Sequence, residues 1–117
     1  MTHAWKLGCA LAVVLVATGC ASTPQVSTES SSSAIRAAEA VGADQTPLAS
    51  LHLQLAKEEL NGAQKLAADG KTEEAESLLL RAEADAELAI LLSKEQSEQS
   101  EATQAMDRIR KIRSDNR

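Results

Sequence analysis

Ala67-Ala68-Asp69-Gly70-Lys71-Thr72-Glu73-Glu74-Ala75 is the stretch that decides the fold of this 117-residue chain. Asp69-Gly70-Lys71-Thr72 reads as a tight turn, with Gly70 ending one helix and Thr72 capping the next. Glu73, Glu74 and Glu76 would then occupy the first turns of the second helix, where acidic groups meet the positive end of its dipole. Upstream, Leu48–Ala68 carries a helical pattern, introduced by Thr46 as an N-cap and Pro47 at the first helical position. Gly62 interrupts that pattern and costs about 1 kcal/mol relative to Ala. Downstream, neither Gly nor Pro occurs before the end of the chain, so the second helix has room to run to about Ser114. At 1.5 Å per residue the two helices would span about 32 Å and about 63 Å. So short a turn makes them antiparallel neighbours.

The apolar spacing says how they meet. Ala49, Leu53, Ala56, Leu60, Ala63 and Ala67 alternate steps of four and three, the seam of closely packed helices, and Leu48, Leu51, Leu55 and Leu66 widen it. Ala75, Leu78, Leu79, Ala82, Ala86, Ala89 and Ile90 form the matching stripe. Composition agrees: 44% of residues are apolar and 25% charged, yet there is no Phe, no Tyr and one Trp, Trp5. A core without rings rests on aliphatic side chains, which favours helix on helix. The expected fold is all-α: an antiparallel helical hairpin with a short N-terminal helix and a long second helix, open to oligomeric or coiled-coil-like association.

The remaining segments divide by texture. Residues 1–19 read as a lipoprotein signal peptide: Lys6 supplies positive charge, and Leu7–Thr18 is an apolar run too short to span a bilayer. Ala17-Thr18-Gly19-Cys20 resembles the bacterial lipobox, which implies that Cys20 is lipidated and becomes the new first residue. Leu is commonest in the family where Ala17 stands. An ordinary signal peptide cut nearby, or an uncleaved apolar start, is the plainer reading. Ala21 after the Cys, in place of Asp, points to the outer membrane and a periplasm-facing domain. Cys9 would be removed and Cys20 acylated, leaving no thiol for a disulfide, a metal or redox chemistry.

Residues 20–33 follow as the lipidated Cys and a flexible Ser/Thr-rich tether of about 20 Å. The helical domain is placed at residues 34–92, opening with a short helix, Ala34–Val41, that stops at Gly42. Residues 93–117 form a polar extension with a basic end. Its first half, Ser93–Glu101, is polar on every face, as in a solvated single helix or a frayed hinge. Apolar spacing returns at Ala102, Ala105, Met106, Ile109 and Ile112.

Two surfaces are candidates for interaction. Leu80, Ala84, Leu88 and Leu91 make a narrow stripe on the second helix opposite its packed side. Either the short helix covers it through Ile35, Ala38 and Val41, or a second protein chain does. Arg108, Arg110, Lys111 and Arg113 form a basic end for wall polymer or lipid head groups, unless they only complement the helix dipole. His52 has Glu59 on its face two turns away, about 10.5 Å, too far for a direct acid–base pair, and reads as a helix-edge residue. No phosphate loop, nucleophile elbow or metal-ligand spacing occurs, so no catalytic residue, metal or cofactor is assigned and an enzyme is not expected. The net charge of −5, one unit more negative without Lys6, argues against nucleic acid.

Ala38-Glu39-Ala40-Val41-Gly42-Ala43, Pro47-Leu48-Ala49, Ala56-Lys57-Glu58-Glu59-Leu60, Ala67–Lys71, Glu74-Ala75 and Arg81–Ala89 together resemble a family of short bacterial lipoproteins and periplasmic domains of unknown function. That family's domain often precedes a peptidoglycan-binding module, and nothing of that size follows here. The Gly70 turn and its flanks also look like one tetratricopeptide-type helix pair, with the usual aromatic positions empty. In plan the chain is similar to the murein lipoprotein family, with lipid, Ser-rich tether, aliphatic helix and basic end. It ends in Arg117, lacking the terminal Lys of wall attachment. The expected role is a lipid-anchored structural or protein-interaction module, binding itself or an envelope protein. The alternative is an accessory that binds cell wall or lipid head groups through the basic end.

Overall fold

A computed structural model describes residues 26–117. Three α-helices follow in order: α1 (Glu29–Ala40), α2 (Pro47–Ala68) and α3 (Thr72–Asp115), with a short 3-10 turn at Ala43–Gln45 between the first two. The expected all-α architecture is present, with a long helix packed against another. Serine hydroxyls fix α1 on α3 near both of its ends. Ser31 Oγ donates to the Leu79 carbonyl at 2.9 Å, and Ser93 Oγ donates to the Val41 carbonyl at 2.9 Å. That order of contacts makes α1 parallel to α3 and antiparallel to α2. Lys57 and Glu39 add an ion pair between α2 and α1.

The Gly70 turn closes as a Schellman motif. Gly70 N–H donates to Ala67 O at 3.0 Å and Lys71 N–H to Leu66 O at 2.9 Å, satisfying two carbonyls that the helix end leaves free. Gly70 has φ +77°, a left-handed value that costs a β-carbon-bearing residue energy, and so does Gly42 at +75°. Pro47 stands at the first position of α2 as its missing N–H allows, while Thr46 is extended and makes no side-chain cap. Thr72 is corrected from its expected capping role: it is the first residue of α3, and Lys71 precedes it without a side-chain cap.

The core is thin and built from methyl groups. Ala38, Ala43, Ala49, Ala56, Ala75, Ala82, Ala86 and Ala89 are wholly inaccessible, with Ile35, Leu53 and Leu79 nearly so. Alanine at the lines of contact lets helix backbones approach, while the fewer branched side chains fill the space beside them. Leu48, Leu51 and Leu55, expected to widen the α2 seam, are instead exposed. The core uses the Ala49–Ala63 line, because α1 occupies the other flank of α2 and, among the described residues, nothing lies over these leucines.

Helix α1 begins earlier than composition suggests, since residues 29–33, expected in the tether, belong to it. Serine is only mildly unfavourable in a helix, and α3 offers Ser31 both burial and an acceptor. At the other end, residues 94–115 continue α3 as a solvent-exposed helix, which settles the choice between helix and hinge. Side-chain bonds one turn apart line it, including Gln99 Nε2 to Glu95 Oε1 at 3.1 Å and Thr103 Oγ1 to Gln99 O at 2.9 Å.

Candidate functional site

The stripe Leu80, Ala84, Leu88 and Leu91 lies on the face of α3 turned away from both other helices. Leu80 is 69% exposed, Leu91 62% and Leu88 38%, and Ala84 is exposed as well. The expectation that α1 covers it is overturned. Ile35 and Ala38 are buried, but against the other side of α3 in the cluster that holds Ala86 and Ala89, and Val41 is itself exposed. Stepping 100° per residue puts Leu80, Leu91, Ala84 and Leu88 about 100° to 180° round the helix from the side formed by Leu79, Ala86 and Ile90. Helix α1 packs on the first set and reaches only the edge of the stripe, where Ser30 and Ser31 border Leu80 and leave it exposed.

Beside the stripe, charged residues of α3 face the hairpin seam. Arg81 and Asp85 turn towards α2 and form a polar cluster with Glu59 and His52. Arg81 donates to Glu59 Oε1 at 2.7 Å, and His52 Nδ1 lies 2.7 Å from Asp85 Oδ1. Glu59 is buried, and its second oxygen, Oε2, has no hydrogen-bond partner. Burial pushes the Glu59 carboxyl above its ordinary value; the Arg81 charge opposes this, and the neighbouring Asp85 adds to it. Sequence reasoning set His52 and Glu59 on one face, too far apart for a direct pair, read His52 as a helix-edge residue, and missed Asp85 across the seam. The signal was available in part: Glu59 and Arg81 stand equally far from Gly70, so folding at that turn sets them level.

Arg108, Arg110, Lys111 and Arg113 are all exposed on the free part of α3, and Arg110 bonds Asp107 one turn away at 3.1 Å. Met106, Ile109 and Ile112 among them are exposed too. The structure does not bring this basic end together with the Leu80–Leu91 stripe within one chain; both lie along one helix. Cys20 and residues 1–19, expected to be a lipoprotein signal peptide, fall outside the described residues. Among the described residues, no helix is long and apolar enough to cross a membrane, and no group of three or more His, Cys, Asp and Glu side chains is placed to hold a metal ion.

No curated protein and no solved structure matches the chain. A family model does, over residues 27–105, which takes in α1 from before its first residue and reaches past the hairpin into the exposed part of α3. The chain thus belongs to the family of the domain of unknown function DUF4398.

Proposed function

We propose that this protein is a bacterial lipoprotein, anchored in the outer membrane through Cys20, whose helical domain faces the periplasm as a structural or protein-interaction module. The observation that carries the interaction role is the Leu80–Leu91 stripe, left bare although a third helix packs on the same α3. Exposed leucines in a line on an ordered helix are a contact surface, whereas scattered ones need no explanation. The anchor rests on the lipobox-like Ala17–Cys20, which residues 21–28 separate from α1 in the sequence.

One experiment tests both parts. Cells carrying the wild type, Cys20→Ser, or the pair Leu80→Glu and Leu88→Glu are fractionated and crosslinked, and the products are identified by mass spectrometry. The wild type is expected in the membrane fraction with defined crosslinks. Cys20→Ser should leave that fraction, and the double Glu variant should stay there but lose the crosslinks. Retention of Cys20→Ser refutes the lipid anchor, and unchanged crosslinks in the double variant refute the stripe.

The free, basic end of α3 favours a second reading, an accessory that grips cell-wall polymer or lipid head groups. Removing residues 106–117 should then lower co-sedimentation with wall material or anionic vesicles by several-fold. Unchanged sedimentation excludes it.

A further inference from the structure

The bare face of α3 extends well beyond the leucine stripe. Ala84, Leu88, Leu91, Glu95, Glu98, Ala102, Ala105, Ile109 and Ile112 continue it in unbroken alternating steps of four and three, and every one of them is exposed. This is the a/d line of a heptad repeat, with Leu88, Glu95, Ala102 and Ile109 at a and the others at d. It spans about 42 Å and is apolar at all but two positions. On a straight helix such a line drifts by about 20° per heptad, so it serves a partner helix that supercoils with it.

We propose that the partner is a second copy of this chain, its α3 lying antiparallel along the same line. This rests on reading the bare face as an interaction surface and gives that surface its occupant. The charges choose both direction and register. In an antiparallel pair, g residues face g residues, and here g holds Glu87, Lys94, Glu101 and Arg108. With Leu88 opposite Ala105 of the second copy, Glu87 meets its Arg108 and Lys94 meets its Glu101. Symmetry repeats both pairs, giving four attractions and no repulsion at g. Sliding by one heptad in one direction sets Lys94 against Lys94 and Glu87 against Glu101; sliding in the other sets Lys94 against Arg108 and Glu101 against Glu101. A parallel pair sets Arg108 against Arg113 on both sides.

The apolar layers agree with the same register. Leu88 packs on Ala105, Leu91 on Ala102 and Ala84 on Ile109, so each large side chain meets a small one and the helices approach closely. Glu95 meets Glu98 at the two central layers, which loosens the middle and leaves the ends to hold the pair. Among the described residues, Glu87, Lys94, Glu101 and Arg108 form no ion pair within their own chain, so the pairing takes nothing from the fold.

Charge exchange tests this on the full chain, purified in mild detergent and weighed by sedimentation equilibrium over a range of concentrations at low salt. The wild type is expected as a dimer. Glu87→Arg alone and Arg108→Glu alone should each weaken dimerisation by about tenfold, because two attractions per dimer become repulsions. Combining them should restore the wild-type constant within about threefold, with helix content by circular dichroism unchanged throughout. A wild type that is monomeric at every concentration overturns the proposal, as does a dimer indifferent to both single changes or not rescued by the double. A monomer whose crosslinks in cells still depend on Leu80 and Leu88 would overturn the self-pairing alone and leave the interaction module standing with a different partner.

Discussion

Ala86→Leu is expected to be destabilised by about 3 kcal/mol, the upper part of the usual range for an overpacked core. Ala86 is wholly inaccessible and belongs to the apolar cluster with Ile35 and Ala38 of α1 and Leu53 and Ala56 of α2. Its methyl group therefore sits where both other helices converge on α3. A leucine there has no space to enter unless one of them moves away, and moving either opens contacts along the alanine line. A domain of this size has a total stability on the order of 5–10 kcal/mol, so the change removes a large share of it. Thermal melting followed by circular dichroism should show a midpoint many degrees lower. Ala86→Ser, nearly equal in volume, should lose about 1 kcal/mol and serves as the control. A Leu variant that melts with the wild type would mean that α1 or α2 is not packed on α3 as described.

The same alanines explain what was legible in the sequence. The steps of four and three through Ala49, Leu53, Ala56 and Ala63, with their counterparts Ala75, Leu79, Ala82, Ala86 and Ala89, are local patterns, and Gly70 between them fixes the fold-back. Periodicity and one left-handed glycine therefore sufficed for the α2–α3 pair. What failed needed lateral information. The serine run at Ser30–Ser33 looks like linker by composition, and only the Leu79 carbonyl of a distant helix makes a buried serine acceptable. Leu48, Leu51 and Leu55 look like core because they lie near the seam, but where α1 docks decides which flank of α2 is covered. For the candidate surface, the stripe itself was visible in α3, whereas its being bare depended on α1 packing elsewhere. The His52–Asp85 contact joins residues on different helices, so no spacing along one helix reveals it. Residues 94–115 show the opposite case: with little to bury, they stay helical because no residue breaks the ladder.

Arg81→Ala is expected to lower stability by about 2 kcal/mol at pH 7 and by almost nothing near pH 4. Glu59 from α2 is buried with one oxygen bonded to Arg81 and the other without a partner, and Asp85 and His52 complete the polar cluster around it. Removing the guanidinium leaves a carboxylate with neither solvent nor cation. Arg81 is itself 69% exposed, so water screens part of its attraction and keeps the loss below that of a fully enclosed pair. The pH dependence follows from the direction of the Glu59 shift. Its carboxyl lies above the ordinary 4.5 in the folded protein, mainly because of burial, so the fold binds this proton more tightly than the unfolded chain does. That contribution is fully present below pH 4.5 and is lost as pH rises through the folded value. Arg81 holds the shift down; without it the folded value rises further and the loss grows across a wider window. Urea titrations of wild type and variant should therefore converge in acid and separate towards neutrality. Adding Glu59→Leu to Arg81→Ala removes the stranded charge and should recover most of the difference at pH 7. If the double variant is no more stable than Arg81→Ala, the cost lies in lost packing of the arginine stem along α2 rather than in the buried carboxylate.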